Sequence, residues 1–139
     1  MNDKRLSALK LVNIFFEEFS FARLEFDFKE LDKEVDVDEK ISFKVEIATR
    51  EDKLFHRVKI ASEVAKDAEY KLSLVIVGIF QFDSEVYEDV NLEHLLNENA
   101  VAILMPYIRS QVSILTSQPG MKTVTLPIFN ISEMMKEKE

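Results

Sequence analysis

Apolar and polar residues alternate over most of positions 9–82, and each stretch of alternation reads as a strand with one buried face. The first stretch, residues 9–28, changes parity as it goes. Ile14 and Phe16 share one side, Phe19 and Phe21 take the other, and Leu24, Phe26 and Phe28 return to the first. Such a switch sends side chains to the wrong face unless the strand bulges or bends, so one long, irregular strand is expected here. Residues 30–40, "ELDKEVDVDEK", are dominated by acids and read as a solvated connection. "ISFKVEIAT" then alternates cleanly, with Ile41, Phe43, Val45 and Ile47 on one face. "TREDK" is a turn. "FHRVKIASEVA" points Val58, Ile60 and Val64 inward, and "KDAE" is the next turn. "YKLSLVIVGIFQF" becomes apolar on both faces after Leu74, so its second half is expected to be covered on both sides.

The spacing changes to a helical one over 91–117. Val101, Leu104, Ile108, Val112 and Leu115 form one continuous stripe, and Ile103, Tyr107 and Ile114 form a second beside it. Asn97 and Asn99 are the N-cap candidates. Pro106 falls inside the helix, where a proline costs about 3 kcal/mol. "QPG" at 118–120 stops the helix, and "MKTVTLPIF" reads as an extended connection, since Pro127 restricts the residue before it. "NISEMMKEKE" reads as a short final helix capped by Asn130 or Ser132. Four strands followed by helices predict an α+β fold on an antiparallel sheet.

Composition narrows the function. At 139 residues the chain suits one domain. It has no cysteine, which removes disulfide and thiolate chemistry and fits a reducing compartment. The net charge of −8 opposes binding to phosphate backbones. No secretory signal follows "MNDKRLSALK", and the longest apolar run, "LVIVGIF", is far too short to span a bilayer. A cytoplasmic protein without membrane insertion is expected. The two glycines, Gly78 and Gly120, cannot build a dinucleotide fingerprint or a P-loop. His56 and His94 lie in different elements, in no metal-ligand spacing. His56 is expected at a surface or subunit interface, and His94 in a local backbone hydrogen bond. No serine sits in a nucleophile elbow. Neither a cofactor nor an enzymatic activity is indicated.

What remains is a surplus of apolar surface. One sheet covers only one stripe of the helix, and an uncovered stripe marks an interface. Met105, Met121, Met134 and Met135 concentrate in the last third, where flexible thioethers suit adaptable apolar contacts. Phe26, Phe28, Phe80 and Phe82 fit either a core or a groove beside the acidic loop.

The run "HLLNENAVAILMPYIRSQVSILTSQPGMKTVTLPIFNI" (94–131) resembles the C-terminal half of the SecB-type protein-export chaperones. The matching features are His94 with Leu96, the core Ile103, Leu104, Pro106 and Tyr107, then Arg109, the Gly120 stop and "LPIFNI". "GIF" at 78–80 and "FSF" at 19–21 match that family's fourth and first strands. The resemblance implies a four-stranded antiparallel Greek-key sheet with a long kinked helix and a short C-terminal helix on one face. It implies a homo-oligomer, a dimer of dimers, with helix contacts at Val101, Leu104, Tyr107, Ile108, Val112 and Leu115. It further implies an ATP-independent holdase for unfolded polypeptides. The client groove would be lined by Leu24, Phe26, Phe28, Leu31, Val124, Leu126, Ile128, Phe129 and Met134. Family members that hand clients to the SecA motor present carboxylates on the sheet's outer face. Glu18 matches one such position, whereas Ala22 and Ser73 stand where two other acids would align. Some SecB-like proteins instead guard an antitoxin. Two further readings stand beside this one: an oligomeric adaptor for one specific partner, and an enzyme or small-ligand binder, which a deep pocket with convergent polar groups would favour.

Overall fold

The computed structural model describes residues 9–24, 26–31, 38–82 and 91–128. Strands β1 (Leu9–Arg23), β2 (Lys40–Thr49), β3 (Phe55–Lys66) and β4 (Tyr70–Phe82) form one antiparallel sheet in the order β1-β4-β3-β2. Short hairpins make β2, β3 and β4 consecutive neighbours. The longer link from β1 to β2 carries β1 to the far edge beside β4, which is the Greek-key arrangement.

β1 is irregular, as its parity pattern requires. Its register against β4 shifts between Leu11 and Asn13 and again between Phe16 and Glu18. The second shift is the switch read between Phe16 and Phe19. The switch read at Leu24 has another cause: the strand ends at Arg23, and residues 24–31 leave the sheet. There a single 3-10 turn, Phe28–Glu30, is capped by Asp27, whose carboxylate accepts from the Lys29 amide at 3.0 Å.

The registers align the inner face into rows. Ile14, Gly78, Val58 and Ile47 form one row, and Phe16, Ile76, Ile60 and Val45 the next. A helical run crosses this face over β3 and β4. It opens with an α turn at Leu92–His94, widens to a π-helix over Leu95–Ala100, and continues as helix α1 (Val101–Thr116). Asn91, rather than Asn97 or Asn99, caps it by accepting from the His94 amide at 3.2 Å. Asn97 lies inside the run and donates to the Glu93 carbonyl at 2.9 Å. Pro106 leaves the Ala102 carbonyl without its helical donor, but Ala102 and Pro106 are both on the exposed side of the helix, open to solvent.

Val101, Leu104, Ile108 and Val112 are fully buried against the chain's own sheet. Gly78 makes this seat possible: a Cβ there would come within 2.8 Å of a Leu104 methyl and 2.7 Å of the Phe80 ring. Phe80 and Phe82 are core residues. The outer side of β4 is only partly covered. Val77 is buried between its register partners Phe15 and Lys59, while Val75 and Ile79 stay half-buried.

His56 corrects the expectation of a surface or interface position. It falls on the inward parity of β3 and is 1% exposed. Its Nδ1 lies 2.9 Å from the Thr49 hydroxyl, and its Nε2 has no partner. His94 pairs through its side chain with the Glu98 carboxylate at 2.8 Å, one helical turn on, rather than with backbone. The final helix expected from Asn130 or Ser132 lies outside the described residues.

Two predictions follow from this core. Gly78→Val adds three carbons where the first alone would already crowd Leu104 and Phe80, and is expected to cost about 1–3 kcal/mol by urea denaturation. Burial lowers the pKa of His56. The unfolded chain, titrating near ~6.5, therefore binds a proton that the folded chain resists, and stability falls as pH drops below that value. The slope is at most about 1.4 kcal/mol per pH unit. Denaturation midpoints at pH 7.5 and 5.5 should differ in the wild type and converge in His56→Gln.

Candidate functional site

The chain after α1 doubles back along the helix, and a polar seam holds it there. Gly120, at φ +80°, sits in the left-handed region that the reversal needs. From α1, the Arg109 Nε donates to the Leu126 carbonyl at 3.1 Å and the Ser113 hydroxyl to the Val124 carbonyl at 3.0 Å. The Val124 amide donates to the Thr116 hydroxyl at 2.8 Å. The geometry fits because four helical residues rise about 6 Å and two extended residues about 6.6 Å. Arg109 and Ser113 therefore meet Leu126 and Val124 in step. Arg23 donates to the Gly120 carbonyl at 3.3 Å, which ties the end of β1 to this reversal.

The chain leaves the sheet beside that tie, and the apolar residues that alternate with charged ones there, Leu24, Phe26, Phe28 and Leu31, are exposed. Leu24 is 40% exposed, Phe26 60%, Phe28 79% and Leu31 62%. The Leu24 amide still donates to the Glu69 carbonyl at 2.9 Å, so the exit direction is held. Beneath it Tyr70 stacks on Phe21, with ring centroids 5.9 Å apart. Burial, helped by Glu39 and Glu69, pushes the Tyr70 hydroxyl up to about 12, so it stays neutral. Further along the same side of the sheet, Ile128, Ile114, Phe19 and Tyr107 are also exposed. Bare apolar surface of this kind on a folded chain marks a candidate interaction surface.

The family model described as preprotein translocase subunit SecB matches residues 2–139. The chain belongs to the SecB family. One relative, the uncharacterized protein MJ0357 of Methanocaldococcus jannaschii, is 29% identical over 134 residues, covering 89% of this chain and 83% of that protein. Among solved structures, the fold is similar to that of the Mycobacterium tuberculosis SecB-like chaperone Rv1957, in complex with a ChAD peptide from the Rv1956 HigA1 antitoxin. That match has a TM-score of 0.69 at 17% identity, covering 91% of this chain and 95% of that one.

Against the SecB-like groove expected from the sequence, the structure sorts the residues. Leu24, Phe26, Phe28, Leu31 and Ile128 are exposed, and Val124 is half-buried. Leu126 is 1% exposed and belongs to the core, where it anchors the returning segment instead of facing a ligand. Phe129 and Met134 lie outside the described residues. Of the helix positions assigned to subunit contacts, Val101, Leu104, Ile108 and Val112 need correction, because a side chain sealed inside its own subunit offers no area to a second one. Tyr107 remains exposed and Leu115 half-buried. Glu18, Ala22 and Ser73 all face the outer side of the sheet. Phe19 was not anticipated as surface: its parity is inward, but it stands 56% exposed on the edge strand with its ring against Phe16.

The seam itself is testable. Arg109→Ala with Ser113→Ala removes two ties, each worth about 1 kcal/mol. Amide exchange at 122–128 is expected to speed up by roughly tenfold or more while β3 and β4 stay protected; unchanged exchange at 122–128 would show that Leu126 burial alone holds the segment.

Proposed function

We propose that this SecB-family chain is an ATP-independent holdase that binds unfolded, non-native polypeptides. The observation that carries this reading is the exposed apolar set Leu24, Phe26, Phe28 and Leu31, both of whose phenylalanines are more than half exposed, on the stretch that leaves the sheet where Arg23 is tied to Gly120. An unfolded chain offers apolar side chains in extended backbone. Covering one Phe is worth about 1.5–3 kcal/mol. Several such contacts in series give useful affinity without a deep pocket, and each remains weak enough to release. Binding of this kind needs neither catalysis nor a cofactor.

The same surface supports assembly. Of the second stripe, Ile103 packs partly against the core while Tyr107 and Ile114 stay exposed, and a second subunit would bury those two in a homo-oligomer. Of the three outer-face positions aligned with SecA-docking acids, Glu18 alone is acidic, so SecA is not part of the proposal. A narrower reading, guarding an antitoxin, takes support from the antitoxin peptide bound by the structurally similar M. tuberculosis chaperone.

Light scattering of reduced insulin and of a second, unrelated unfolded protein, without nucleotide, tests the proposal. The wild type is expected to suppress aggregation of both. Phe26→Ser with Phe28→Ser should weaken suppression by about tenfold or more, since ~1.4 kcal/mol is tenfold. Wild-type suppression by that variant would remove this surface from the mechanism. Protection of only one client class would favour the antitoxin reading.

A further inference from the structure

The outer face of the sheet carries a second feature, unrelated to the apolar surface on the inner side. A groove of about 470 Å³ crosses all four strands near the β2–β3 hairpin. Its floor is a single register row: Asn13 on β1, Ile79 on β4, Arg57 on β3 and Ala48 on β2. Val12, at the first bulge of β1, is 49% exposed at one side, and Phe55 lines the other.

Its chemistry is apolar with cationic groups. Arg50 lies over the Phe55 ring, 4.2 Å from its centroid, and is paired with Asp52. Elsewhere on this face Lys59 pairs with Glu17 at 2.7 Å and Lys44 with Glu46 at 3.5 Å. Arg57 is exposed in the middle of the groove floor and makes no ion pair among the described residues. Its planar fork of donors matches a carboxylate in a bidentate fashion, which a lysine ammonium does not.

We propose that this groove docks an acidic polypeptide segment, one that presents a carboxylate to Arg57 next to an apolar side chain over Val12 and Ile79. A polypeptide is favoured over a polyanion by the chain's own charge. At −8 the whole molecule repels an extended nucleic acid or an anionic membrane. A short segment feels mainly the charges within a Debye length of about 8 Å, and here, among the described residues, Arg57 is the cation not already matched by a neighbouring carboxylate, Arg50 being paired with Asp52 and Lys59 with Glu17. The polarity is opposite to that of the acidic docking patch implied by the family resemblance for this face. The groove and the client surface lie on opposite sides of the sheet, so one does not compete with the other, and the inference does not depend on the holdase reading.

The probe is a fluorescein-labelled dodecapeptide of alternating Glu and Leu, followed by anisotropy at 50 and 300 mM salt. Saturable binding is expected, weaker at the higher salt, and reduced tenfold or more in Arg57→Glu and severalfold in Arg57→Gln. Suppression of insulin aggregation by both variants should match the wild type, as should their thermal melts. If Arg57→Glu fails to fold, Arg57→Gln with Val12→Ser decides the matter. Wild-type affinity in the Arg57 variants, or equal affinity for a control dodecapeptide with Gln in place of every Glu, would overturn the proposal. So would a loss of peptide binding in the Phe26/Phe28 variant, since the peptide would then be one more client of the inner surface. Arg57-dependent binding to phosphatidylglycerol vesicles as tight as to the peptide would overturn it in favour of a membrane.

Discussion

The close seat of α1 on the sheet is the contact from which the rest of the structure follows. Gly78 leaves the space that Leu104 fills, and the helix settles with Val101, Leu104, Ile108 and Val112 sealed against β3 and β4. That seat consumes one helical stripe and the centre of the inner face. A single helix cannot also cover the edge strand or its own far side. Phe19 therefore stays exposed on β1 despite its inward parity, and Tyr107 and Ile114 stay exposed on α1. The apolar surplus of this chain is a geometric result: a four-stranded sheet is wider than one helix, and the remaining area is left uncovered by the chain's own elements.

The segment after Gly120 fills part of that shortfall in a particular way. Its side chain Leu126 enters the core, while its carbonyls accept from Arg109 and Ser113. Anchoring by one buried residue and a polar seam fixes the backbone of the segment without using the outward side of Ile128. A bare apolar residue costs little stability if the chain beneath it is held by other contacts. Leu24–Leu31 obeys the same rule, fixed at its start by the Leu24–Glu69 hydrogen bond and at Phe28–Glu30 by the Asp27 cap.

The fold was legible in the sequence because period-2 and period-3.6 patterns are set by local geometry, and the core rows of β2, β3 and β4 follow their alternation residue by residue. The bulge after Phe16 was legible for the same reason. The reassigned positions were illegible for reasons that periodicity does not contain. Nothing local distinguishes a stripe that meets its own sheet from one that meets a sister subunit, so Ile108 and Val112 were placed in an interface. Leu126 reads like its neighbours Val124 and Ile128 in an extended segment; only the seam with α1 decides which side turns inward. His56 has the inward parity of Val58, and its polar character hid that fact. The cap at Asn91 was missed because the π-helical turn shifts the start of the run upstream of the apolar stripe. The Arg57 groove depends on a register row across four strands, which no linear pattern displays.

The two faces of the sheet solve different physical problems. On the inner side the proposed affinity rests on apolar area, which is non-directional and accepts many sequences. On the outer side the groove combines modest area with a charged fork whose geometry is directional and selects a partner by sign. In the proposed functions, weak and unselective capture on one face would go on exchanging its contents, and a selective site on the other would bring in a particular partner without displacing what is held. β4 separates the two faces: Leu74 and Ile76 are sealed in the core on one side and Val75 and Ile79 lie half-buried on the other, so the alternation of its side chains keeps the two chemistries apart.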